Sequence, residues 1–202
     1  MIQHVKDRIV KRISGGGRGR AYTSKDFFDL GSRAAVDQSL SRLARKGVIR
    51  RLKAGVYDFP KINPKLGGQL SPNVDEVAHA FARKNNIRIM LSGALAANKL
   101  GLSTQVPAQK IFLTDGQSQK IRINNFDVIF RHVSPGRISS CGKRSELILQ
   151  ALCHLGRNNV DDMIIDKISR MLSDKDKQYL ARDAQDSAEW LIPVVNRIAE
   201  VK

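Results

Sequence analysis

Apolar residues in the first sixty positions fall in short, regularly spaced sets. In IQHVKDRIVKRI, residues 2–13, Val5, Ile9 and Ile13 recur every four residues, the spacing of one helical face. SGGGRGR (14–20) is expected to break that helix, because three consecutive glycines cannot continue it cheaply. YTSKDFFDLG (22–31) reads as a short second helix, with Thr23 as N-cap, Asp26 in the capping-box position and Gly31 at its end. Ser32 caps a third helix that runs to about Lys46 and stops at Gly47. Its apolar stripe is Val36, Leu40 and Leu43, and the opposite stripe is Ala34, Gln38, Ser41, Arg42 and Arg45. VIRRL (48–52) and VYDFP (56–60) read as two strands around a turn at Lys53-Ala54-Gly55. KINPKLGGQLSP (61–72), with its prolines and glycines, reads as a linker.

Beyond the linker the pattern changes twice. PNVDEVAHAFARKNN predicts a helix, IRIML a strand and SGALAANKLGL a small-residue helix in which Ala94, Ala97 and Leu100 with Leu95 allow close packing. VPAQKIFLTDG, QKIRIN and FDVIFRHV predict a three-stranded meander turning at Asp115-Gly116 and Asn124-Asn125. From Lys143 onward KRSELILQALCHLG, DDMIIDKISRML, KDKQYLARDA and SAEWLIPVVNRIAEVK read as helices, the last kinked or broken at Pro193. No internal repeat is visible. The whole is an α+β chain: an N-terminal winged helix-turn-helix (1–62), a small α+β element (70–136) and a C-terminal helical region (140–202).

Charge changes this picture most. The chain of 202 residues carries a formal net charge of +16 and 42% apolar residues, with a sequence pI near 10.3. The excess is graded: net +9 over residues 1–60, +6 over 61–134 and +1 over 135–202. Such a balance implies a polyanionic partner, and the basic end is where a nucleic acid should sit. The outer stripe of the third helix offers an amide for adenine, guanidiniums for guanine, and small residues that allow close approach to a groove. Gln38, Ser41, Arg42 and Arg45 are therefore the expected base readers, flanked by Ser32 and Arg33. Arg50, Arg51 and Lys53 would set the wing on phosphates. Arg18 and Arg20 would reach a phosphate or the minor groove, and Tyr22 and Thr23 complete the candidate set.

The search for other chemistry is mostly negative. His4, His79, His132 and His154 are scattered, and Cys153-His154 has no second ligand pair at metal spacing. Asp161, Asp162 and Asp166 read as a solvated helix face. There is no GxSxG or HExxH signature. The expectation is a non-enzyme with no metal and no cofactor. Cys141 and Cys153 form no disulfide-like pattern, the first residues lack a signal-peptide core, and no run is apolar enough to span a bilayer, so a cytoplasmic protein is expected.

GRAYTSKDFFDLGSRAAVDQSLSRLARKGVIRRLKAGVYDFPK, with LGGQLSP, SGALAANKLGLSTQVPAQKIFLTDG and IRINNFDVIFRHVSP, resembles the AbiEi-type antitoxins of prokaryotic type IV toxin–antitoxin systems over roughly residues 18–137. The resemblance implies a winged-helix domain that binds inverted repeats in its own promoter, as a homodimer or as paired monomers. It also implies a C-terminal domain, 70–202, that neutralises a nucleotidyltransferase-like toxin and supports repression. The residues leave two other readings open. One is a winged-helix regulator whose C-terminal domain senses a ligand or dimerises. The other is a nucleic-acid enzyme, should Asp115 with Asp127 or Asp161 hold a metal.

Overall fold

The computed structural model describes residues 2–134, 138 and 142–201, with backbone alone for Ile2 and Gln3. Cys141, and the block boundaries expected at 136 and 140, lie outside the described residues. The chain is mixed α and β, with helices at both ends. It divides into two compact units, Met1–Arg88 with Lys120–Val128, and Ile89–Gln119 with Ile129–Lys202. The boundary anticipated between residues 62 and 70 therefore falls inside the first unit.

In that unit α1 spans Ile2–Gly16, passing through two of the three glycines before ending at Gly17. Gly17 has φ +82°, the left-handed conformation that closes a helix and that glycine adopts without strain. Residues Ala21–Thr23 form β1, so Tyr22 lies in a strand and not in the helix, while Thr23 is the N-cap of the segment that follows, as expected. Ala21, Tyr22 and Thr23 pair with Asp58, Tyr57 and Val56, and this long-range ladder overrides the local helical preference. Ser24–Leu30 follows as a 3-10 helix, and the Asp26 carboxylate accepts from the Thr23 backbone N–H at 2.8 Å. Helix α2 (Arg33–Arg45) starts where Ser32 accepts from the Ala35 N–H, and it buries Val36, Ser39, Leu40 and Leu43.

The strands β2 (Arg50–Lys53) and β3 (Val56–Asp58) join β1 in an antiparallel sheet of order β1-β3-β2. Val5, Ile9, Ile13, Phe27, Leu30, Val36, Leu40, Leu43, Ile49 and Tyr57 share one core, so each of the three helical segments contributes its apolar face. Arg12 ties α1 to the 3-10 helix, donating to both Asp29 oxygens at 2.6 Å and to the Asp26 carbonyl at 2.8 Å. The fork holds the Asp29 carboxyl below its ordinary range and pushes the Arg12 guanidinium up.

The stretch read as a linker is ordered. Ile62–Asn63 (β4) and Gly68–Gln69 (β5) pair across a 3-10 turn at Pro64–Leu66, with Gly67 at φ +83°. Helix α3 (Val74–Asn85) comes next, capped by Asn73 and ended by Asn86 in the left-handed region.

Four strands, β6 (Ile89–Leu91), β7 (Lys110–Thr114), β8 (Gln119–Ile123) and β9 (Phe126–His132), run in the order β6-β7-β9-β8. This is not the simple meander expected: β8 and β9 do turn back through Asn124 (φ +52°), but β9 rather than β8 neighbours β7. In the second unit α4 (Gly93–Lys99) lies against α5 (Lys143–Leu155) through Ala96, Ala97 and Ala151. A Cβ on Gly93 would meet the Gln150 carbonyl oxygen at 2.7 Å, so the close approach needs glycine there. The helices α6 (Asp162–Arg170), α7 (Asp174–Asp183) and α8 (Leu191–Glu200) pack with α5 around Ile148, Leu152, Ile165, Ile168, Leu180, Leu191, Val195 and Ile198. Pro193 neither kinks nor breaks α8. It lies in the first turn, where its missing N–H has no partner to lose. Among the described residues no helix is long and apolar enough to cross a membrane.

Candidate nucleic-acid interface

The outer stripe of α2 emerges as the sequence pattern requires. Ala34, Gln38, Arg42 and Arg45 are exposed and Ser41 is half-buried, while Val36 and Leu40 opposite them are fully buried. Among the described residues, Gln38, Arg42 and Arg45 engage no side-chain partner, so an amide and two guanidiniums face solvent with their donors unspent. At the N-terminus of the helix Arg33 lies 3.8 Å from Asp37, and Asp37 also accepts from the Ser24 hydroxyl at 2.5 Å. Ser32 is occupied as the N-cap.

The β2–β3 hairpin sorts its cations by strand alternation. Arg51 and Lys53 are exposed, whereas Arg50 turns inward. Its Nε and Nη2 donate to the Asp58 carboxylate at 3.0 and 2.6 Å, and Nη2 also reaches the Leu70 carbonyl at 3.1 Å. Asp58 has a side chain only 2% exposed, so Arg50 compensates a buried charge and its fork is not available to a phosphate. Burial pushes the phenol of Tyr57 on β3 up, and the Arg51 charge opposes that shift.

The remaining candidates divide as sharply. Tyr22 and Thr23 are buried. The Tyr22 hydroxyl donates to the Ile13 carbonyl at 3.3 Å, and the Thr23 hydroxyl to Asp26 at 3.3 Å, so both serve the core and the cap. Arg18 stacks 4.4 Å over the Phe59 ring and donates to the Pro60 carbonyl at 2.9 Å. Arg20 is exposed beside Tyr22. The structure thus brings Gln38, Ser41, Arg42 and Arg45 onto one helix face and Arg51 and Lys53 onto one hairpin. It turns Tyr22, Thr23 and Arg50 away from solvent. Arg18 and Arg50 grip the two feet of the β4–β5 ribbon, a role no local pattern signals because their partners lie 42 and 20 residues along the chain.

No group of three or more His, Cys, Asp or Glu side chains among the described residues is placed to hold a metal ion. Residues 8–180 match the family of unknown function DUF6088. The chain belongs to that family. The DUF6088 match runs from α1 through most of α7, taking in the whole of α2 and the β2–β3 hairpin. No curated protein matches the chain. Among solved structures it is similar to the RV2827C protein from Mycobacterium tuberculosis, at 15% identity and a TM-score of 0.42, covering 97% of this chain and 76% of that one.

Proposed function

We propose that the first unit is a winged helix-turn-helix that binds duplex DNA, with α2 as recognition helix and β2–β3 as wing. The observation that carries this reading is the outer face of α2: Gln38, Arg42 and Arg45 stand exposed and, among the described residues, unpaired on a helix whose inner face is buried. Arg51 and Lys53 supply phosphate contacts that set register without reading sequence, and Gln38 and Arg42 read base edges. The order α1, β1, 3-10 helix, α2, β2, β3, with β3 central in its sheet, supports the assignment, as does the charge of +16.

The biological role follows the sequence resemblance: an autorepressor of its own operon that also neutralises a nucleotidyltransferase-like toxin through its C-terminal region. Titration of the purified protein against its upstream DNA and a scrambled duplex tests the DNA-binding half. Gln38→Ala or Arg42→Ala should cost about 1–3 kcal/mol on the upstream site and little on the scramble. Equal losses on both would make α2 a basic face and not a reader. Co-expression with the adjacent gene tests the other half. Neutralisation should survive alanine at Arg42 and Arg45, and its loss with promoter binding intact would reverse the roles.

A further inference from the structure

Helix α3 lies outside the winged-helix segment, yet its C-terminal end reaches that segment's hairpin. Lys84 Nζ donates to the Ala54 carbonyl at 2.6 Å, in the turn between β2 and β3. Its stem lies against Gly55, where a Cβ would stand 3.4 Å from Lys84 Cε. Two residues on, Asn86 Oδ1 accepts from Lys25 Nζ at 2.8 Å, at the start of the 3-10 helix. Arg83 anchors the arrangement, donating to both Asp26 oxygens at 3.0 and 3.1 Å and to the Ala21 carbonyl at 3.0 Å. The Asp26 carboxylate is thereby paired with Arg83. Residues 83–88, RKNNIR, contain three cations and no carboxylate.

We propose, resting on the DNA-binding reading above, that the C-terminal end of α3 is a third DNA-contacting element. Lys84 holds the hairpin turn in place and, with Lys25, binds phosphates beside it. An ammonium has three donors, and among the described residues each of these lysines uses one, leaving two for phosphate oxygens. The interface then adds Lys25 of the 3-10 helix and the end of α3 to α2 and the hairpin, and the DNA-binding body runs to Arg88, not to residue 62.

Full-length protein titrated against upstream and scrambled duplexes over a range of salt concentrations tests this. Replacing both lysines by Met (Lys25→Met with Lys84→Met) should make the slope of log K against log salt shallower by roughly two and weaken both duplexes to the same degree. Lys25→Arg with Lys84→Arg should keep the wild-type slope. Should the Met pair lose cooperative unfolding, Lys25→Gln with Lys84→Gln, which keeps donors at both positions, carries the same expectation. An unchanged slope in the uncharged pair overturns the proposal, whether affinity is retained or lost on the upstream duplex alone. Failure of the wild-type protein to bind either duplex instead overturns the DNA-binding reading itself.

Discussion

Ser39 faces the core from α2, and among the described residues its hydroxyl has no hydrogen-bond partner. An unsatisfied buried hydroxyl and the lower helix propensity of serine both act against the fold, so Ser39→Ala should stabilise the first unit by about 1 kcal/mol. A higher denaturation midpoint with unchanged DNA affinity is the expected result. Glu146, in the first turn of α5, is the reverse case. Burial pushes its carboxyl up to about 7 from an ordinary 4.5, against the opposing charge of Lys143. A raised carboxyl favours the protonated folded state, so its contribution is complete below about pH 4.5 and is lost as pH rises through about 7. Glu146→Gln should therefore flatten the pH dependence of stability across that window. At pH about 8 it should stabilise the protein by about 1 kcal/mol, solvent screening having reduced the full effect. Thermal melts at a series of pH values read this directly, and an unchanged slope would disprove it.

At the level of elements, neighbouring arginines on β2 have opposite duties. Arg50 neutralises buried Asp58 and holds the Leu70 carbonyl, while Arg51 is exposed on the other side of the strand. Arg50→Ala should cost about 3 kcal/mol or more, because it leaves a buried carboxylate uncompensated. Arg51→Ala should change stability by less than about 0.5 kcal/mol and weaken upstream and scrambled DNA alike. Chemical denaturation of the two variants separates the roles, and similar midpoints would refute the division. The same contrast explains why the helix faces were legible beforehand and the cation roles were not. Val36, Leu40 and Leu43 announce their burial by spacing alone. Nothing in the string RRLK distinguishes the first arginine from the second until Asp58 is placed opposite it.

Over the whole molecule the graded charge predicts a graded dependence on salt. Affinity for DNA should fall steeply between low and physiological salt, by counterion release at several phosphates, and a flat response would remove the electrostatic basis of the reading. The units also predict where truncation hurts. A chain cut after residue 62 loses α3 and with it the Arg83–Asp26 fork and the Lys84 contact to Ala54. It should melt well below a chain cut after Arg88, as followed by circular dichroism. By itself the sequence determined α1, α2, α3 and α5, the outer stripe of α2 and the basic first half, because apolar period and charge are properties of near neighbours. Tertiary structure decided that Ala21–Thr23 is a strand, that the linker is a ribbon, that β9 sits between β7 and β8, that Tyr22, Thr23 and Arg50 point inward, and that exposed Arg18 is held on Phe59 and the Pro60 carbonyl. Each of these depends on a partner brought in from elsewhere in the chain, and strand pairing and charge burial act on distances that only the folded backbone defines.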